Sequence, residues 1–222
     1  MIPRLRLCSY ATALLVALAG CGSTERYDRT YYVLSADRPA VSARSQTDYV
    51  LDVSRFTIDS AYSGSGLVCR VGESEYESDF YNEFLAAPAA MITDKTRNWL
   101  SRSRLFRRVL DPGSRIDSTH VIEGNVTALY GDFRDRSSPK AVIAMRVFLL
   151  KAEAGREPLA VFGKTYRSSV AIESEGPEAL VEALGRCLQG ILSALENDLA
   201  ERLENSTQSP STKPAPRSVR ID

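Results

Sequence analysis

Few residues of this chain have the chemistry to act on another molecule. Its 222 residues include four cysteines and one histidine, with 28 basic and 28 acidic side chains. The histidine, His120, has no partner in any nucleophile or metal motif: G-x-S-x-G, H-E-x-x-H and C-x₂-C are all missing from the sequence. An imidazole without an orienting group is a poor general base, so His120 reads as an ordinary strand-end residue. Gly64-Ser65-Gly66 precedes an apolar strand and lacks the Lys and helix start of a phosphate loop. No pair of carboxylates stands out as a hydrolytic couple. Balanced charge leaves no footprint for nucleic acid. The expectation is a protein that is not an enzyme and holds neither metal nor dissociable cofactor.

Cys21 stands apart from the other cysteines. Arg4 and Arg6 precede an apolar run from Leu7 to Ala19, and small residues close it. That is the grammar of a secretory leader. At 1.5 Å per residue the run spans about 20 Å, short of the roughly 30 Å hydrocarbon core of a bilayer. Leu18-Ala19-Gly20-Cys21 resembles the bacterial lipobox. The resemblance implies a diacylglycerol thioether on the Cys21 sulfur, cleavage before it and acylation of the new amino group. The alternative is plain secretion with Cys21 free or disulfide-bonded. Two acyl chains already suffice for stable anchoring. Gly22, in place of Asp, is similar to the sorting pattern of outer-membrane lipoproteins, which implies the periplasmic face of that membrane. Processing would delete two Arg and no acid, leaving the mature chain slightly acidic.

Two cysteines remain in the body. Cys69 lies on an apolar strand and Cys187 on the apolar stripe of the last helix, so outside the cytoplasm they form either a disulfide or two buried thiols. Tyr76, Tyr81 and Phe84, beside an acidic stretch, are candidate partner contacts, with core packing as the alternative.

The elements that must position these residues alternate between strand and helix periodicity. Strands are predicted at Tyr31–Leu34, Tyr49–Phe56, Leu67–Val71, Leu105–Leu110, Thr119–Phe133, Ala141–Glu153 and Leu159–Ile172. Glu73 to Phe80 alternates strictly, which as a strand places four carboxylates on one face, either solvated or facing a basic partner or Ca²⁺. Arg134–Pro139 should turn a long antiparallel hairpin. Ala141–Glu153 is apolar on both faces and is expected to be a central strand covered on both sides. Pro88 opens a helix to about Ser103, and Gly176-Pro177 opens the longest one, with leucines at intervals of three and four through Leu203. The organisation read from this is a leader (1–20), a tether (21–30), one α/β domain (31–204) and a Pro-rich disordered tail (205–222).

In order, these features resemble the ABC-type transport auxiliary lipoprotein family, the PqiC-like proteins. The matching residues are Tyr31-Tyr32-Val33-Leu34, Leu67-Val68-Cys69-Arg70, Tyr76, Asp79, Tyr81, Phe84, Pro88, Met91, Leu100, Phe106 with Val109, Val121–Val126 and the terminal helix. Cys69 stands where the family has an aromatic, and Phe84 where Trp is common. The resemblance implies a three-layer α/β fold with a mixed, partly antiparallel sheet and two main helices. It also implies a non-catalytic subunit whose partners are an MCE-domain protein, a permease and an ATPase, with the membrane reached through the anchor and with self-association into a ring. Two other readings stand beside it: a periplasmic lipid-binding carrier, and a structural lipoprotein tied to the cell wall through the tail.

Overall fold

The computed structural model describes residues 28–39, 46–153 and 155–208, which form a mixed, open nine-stranded sheet and two α-helices. The strands are β1 (Thr30–Tyr32), β2 (Thr47–Val53), β3 (Thr57–Ile58), β4 (Gly66–Arg70), β5 (Tyr76–Phe84), β6 (Phe106–Val109), β7 (His120–Asp132), β8 (Lys140–Lys151) and β9 (Leu159–Ala171). The helices are α1 (Pro88–Ser103) and α2 (Pro177–Gln208). The chain is therefore α/β with two main helices, as its periodicity predicts. Among the described residues no helix is long and apolar enough to cross a membrane.

The frame is the antiparallel meander β7-β8-β9. Three short strands lie end to end along the other edge of β7, all parallel to it. Leu51–Val53 of β2 pair with His120–Ile122, β3 with Asn125 and Val126, and the end of β4 with Gly131 and Asp132. The sheet then continues as two arms. One runs from β2 to β6; the other runs from β4 through β5 to β1. Helix α1 joins β5 to β6 and so crosses from one arm to the other.

Both helices pack on the same face. Pro88 sits in the first turn of α1, where its missing N–H costs no hydrogen bond, and Met91, Ile92, Thr96, Trp99 and Leu100 turn inward. Leu180, Leu184, Leu188, Ile191, Leu192, Leu195, Leu199 and Leu203 of α2 are all buried against Ile143, Met145, Val147 and Leu149 of β8. Burying one such side chain contributes about 1.5–3 kcal/mol, so this seam dominates the stability. On the opposite face Val142 and Ala144 are covered by Ala128, Tyr130, Tyr62 and Val68. Farther along β8, Phe148 on that face is exposed. Among the described residues, cover on both sides of β8 is thus confined to one end, where the 3₁₀ turn at Ser60–Tyr62 reaches over it.

A strap binds the N-terminal segment to the helices. After β1, Leu34 is fully buried and the chain runs along α2. The Ser35 carbonyl approaches Gly185 so closely that a methyl group there would collide with it. Three residues later Arg38 donates from Nε and an Nη to the two oxygens of Glu196, at 2.8 and 2.7 Å. Trp99 of α1 donates its indole N–H to the same carboxylate at 2.7 Å. Glu196 is buried, and the hydrogen bond to it holds the Arg38 guanidinium protonated more firmly than in water.

Helix α2 ends at Gln208, so Asn205 to Gln208 belong to the helix and not to the tail. Extending an existing helix by one turn costs little, and the first breaker is Pro210. Residues 1–27, Cys21 among them, and 209–222 lie outside the described residues.

Glu196→Ala leaves the Arg38 guanidinium buried without its partner and should lower unfolding free energy by about 3–5 kcal/mol, whereas Arg38→Met with Glu196→Leu should cost much less; urea denaturation distinguishes them. Gly185→Ala, at a helical site where alanine is normally favourable, should instead destabilise the protein and increase hydrogen exchange at Leu34 and Ser35. His120 is buried beside Tyr49, with ring centroids 4.3 Å apart, and burial together with Lys151 lowers its pKa. The unfolded chain therefore takes up a proton first, and stability falls as pH drops below about 6.5. The melting temperature should decline between pH 7.5 and 5.5, and less steeply in His120→Gln.

Candidate functional site

The predicted acidic row is broken up by two local features. Glu73 and Glu75 lie in the turn before β5, not in the strand. Glu73 is held there by Arg70 at 3.2 Å and by Arg134 at 2.7 Å, while Arg134 also forks onto Asp132. Within β5 the Asp79 carboxylate accepts the backbone N–H groups of Tyr81 and Asn82 and the Asn82 side-chain amide, at 2.8, 3.0 and 2.8 Å. Partial burial works against its charge, but these donors win and hold Asp79 below the usual carboxylate range. The strand bulges here: its pairing moves from Val68 opposite Ser78 to Gly66 opposite Glu83. Four carboxylates on one face therefore do not occur, because one caps a bulge and two sit in a turn.

The bulge sets what the arm presents. Phe80 is 62% exposed and Tyr81 42%, their rings edge to face at 5.4 Å. Tyr76 is 44% exposed, its ring edge to face with Tyr130 at 5.7 Å and 5.6 Å from the Arg70 guanidinium. Phe84 is buried; it pairs with Tyr32 of β1 and belongs to the core. Of the three predicted contact residues, Tyr76 and Tyr81 reach the surface and Phe84 does not, because β5 re-enters the core after the bulge. Sequence reasoning omitted Phe80 from the contact set, although its alternation with Tyr76 was the available signal.

Strand β1 extends the same edge. Arg29, just before it, stacks its guanidinium 4.4 Å from the Phe80 ring centroid and lies 3.6 Å from Glu83. Tyr31, Val33 and Leu85 are each more than half exposed, and the Leu85 N–H donates to the Tyr32 carbonyl.

A cleft of about 570 Å³ lies at the far end of β4 under the start of α2. Cys69, Glu77, Phe133, Arg136, Glu173 and Glu175 line it, so carboxylates outnumber the one arginine and an anionic ligand is disfavoured. Burial, then Asp79 and Glu77, pushes the Cys69 thiol up to about 11, which keeps it protonated and a weak nucleophile near neutral pH. Cys187 is buried and donates its S–H to the Ala141 carbonyl at 3.3 Å. Both thiols are free. Cys69 pairs beside Gly131, and Gly131 beside Ala141, so two strand spacings, about 10 Å, separate the Cys69 strand from the one under Cys187. Phe133 and Leu180 fill the space above Gly131 between them. That arrangement exceeds disulfide reach, and of the two alternatives the sequence leaves open, the structure has the thiols.

Burial, helped by Tyr76 and Tyr130, pushes Tyr62 up to about 12, so its hydroxyl stays neutral. Among the described residues there is no group of three or more His, Cys, Asp or Glu able to hold a metal ion. What the geometry offers is a contact surface.

The fold has known counterparts. A DUF330 protein from Xanthomonas campestris has a TM-score of 0.71 at 17% identity, over 81% of this chain and 99% of that one. An uncharacterized protein reaches 0.60 at 13% identity, over 78% and 99%. A hypothetical protein of Chlamydia trachomatis reaches 0.50 at 8%, over 71% and 98%. At these identities the likeness concerns the fold alone. No curated protein matches the chain by sequence. The family model for the ABC-type transport auxiliary lipoprotein component matches residues 32–196, from the end of β1 to the glutamate that receives the strap. Most of the chain lies in that match, and the protein belongs to the ABC-type transport auxiliary lipoprotein family.

Proposed function

We propose that the protein is the lipid-anchored, non-catalytic subunit of an ABC-type intermembrane lipid transport system, held by acylated Cys21 at the periplasmic face of the outer membrane. There it docks an MCE-domain protein whose permease and ATPase lie at the inner membrane. The observation that carries this reading is the family match to an auxiliary lipoprotein component, together with the lipobox that ends in Cys21. Eight residues, Gly22 to Arg29, separate the anchor from β1, so the body stays within about 30 Å of the bilayer. Tethering supplies a high effective concentration, and weak contacts then suffice for docking. The carrier reading has less support: packed leucines fill the space between helices and sheet.

Cys21→Ser should abolish incorporation of labelled palmitate and move the protein from the membrane fraction to the soluble one. Affinity purification of the crosslinked, acylated protein should recover an MCE-domain protein with its permease and ATPase. Recovery of none of these from an anchored, folded protein would sink the docking role.

A further inference from the structure

We infer that the β1-β5 edge rests on the phospholipid surface, with Tyr31, Val33, Phe80, Tyr81 and Leu85 seated at the level of the headgroups. The inference builds on the reading of Cys21 as acylated. Five of the nine large apolar side chains that stand exposed among the described residues belong to this one edge. Ile116, Phe148 and Leu159 are exposed elsewhere without such company. Concentrated exposed apolar area marks a surface that something covers.

The occupant follows from where the chain comes from. Arg29 is the last residue before β1, and its guanidinium lies on the Phe80 ring. The tether therefore leaves the fold across this edge, and its other end, eight residues away, is the acylated cysteine. The side-chain chemistry suits an interface: tyrosine combines an apolar ring with a polar tip, and Arg29 can meet a lipid phosphate while its stem covers Phe80. Of the large apolar side chains of β9 only Leu159 stands exposed, and the cleft carries three carboxylates. The anchor has already confined the protein to the membrane, so modest burial at this edge is enough to fix its orientation.

The test places a photocrosslinking residue in the full-length protein in cells. Phe80→p-benzoylphenylalanine and Leu85→p-benzoylphenylalanine are compared with the same change at Ile116 and Phe148, all at exposed sites. After irradiation, adducts are identified by mass spectrometry, and each preparation is assayed for labelled palmitate. Phospholipid adducts at positions 80 and 85, several-fold above those at 116 and 148, are expected. Adducts to a second copy or to another protein at 80 and 85, or equal lipid adducts at all four positions, would overturn the inference. Palmitate label without lipid adducts rejects the orientation and keeps the anchor; absence of label rejects the anchor itself.

Discussion

Three distant parts of the chain meet at one buried carboxylate. Glu196 receives Arg38 from 158 positions away and Trp99 from 97. An ion pair out of water repays its desolvation only when the remaining hydrogen-bonding capacity is met, and the fork of Arg38 together with the indole N–H does this. Each partner thereby fixes an element that apolar packing alone would leave free to slide: α1 against α2, and the strap against both. Because the strap follows directly from β1, the position of the sheet edge next to the tether is set by a contact deep in the helical layer.

Placing both helices on one face has a consequence for the other. Among the described residues, the outer face is covered where Tyr62 and Val68 reach Val142 and Ala144, and farther along β8 Arg146 and Phe148 stand exposed on it. Edge strand β9 is held to α2 by Asp198, which accepts from Lys164 and from the Tyr166 hydroxyl at 2.8 and 2.7 Å. Lys164 and Arg167 also make a long free edge unattractive for pairing with another strand. The arm of β4, β5 and β1 is built differently: its bulge gives up regular pairing and turns aromatic rings outward.

Much of this was legible in the sequence, for local reasons. Pro88 and Pro177 mark helix starts because a first-turn residue has no use for its N–H, and the leucine period of α2 states which side is buried. The polar run Arg134–Pro139 announced the hairpin, and the family resemblance rested on core and turn residues that the fold does place in order. The failures are all non-local or caused by one side chain. Asp79 breaks the alternation of β5 by accepting from its own strand, which no period-two pattern reveals. Strand β3 is two residues long and exists only because β7 runs beside it. The Arg38–Glu196 pair spans too much sequence for any spacing rule, although a glutamate at the position where Leu188, Leu192 and Ala200 call for an apolar residue was a readable sign. Whether Cys69 and Cys187 bond or stay free could not be read, because sequence carries no distance.

The tandem seating of β2, β3 and β4 along β7 also orders events in time. A ribosome makes these three strands first, yet the edge they pair with lies more than sixty residues downstream at its nearest register. The edges of β2, β3 and β4 that face β7 therefore have to wait unpaired until β7 has been made, even though β4 can already pair with β5 and β2 with β6. The β7-β8-β9 meander, whose partners are sequence neighbours joined by short turns, can zip without delay. Assembly should run backwards relative to synthesis, with the C-terminal half forming the template and the N-terminal arms docking onto it last. During that interval the nascent arms are the segment most in need of a chaperone.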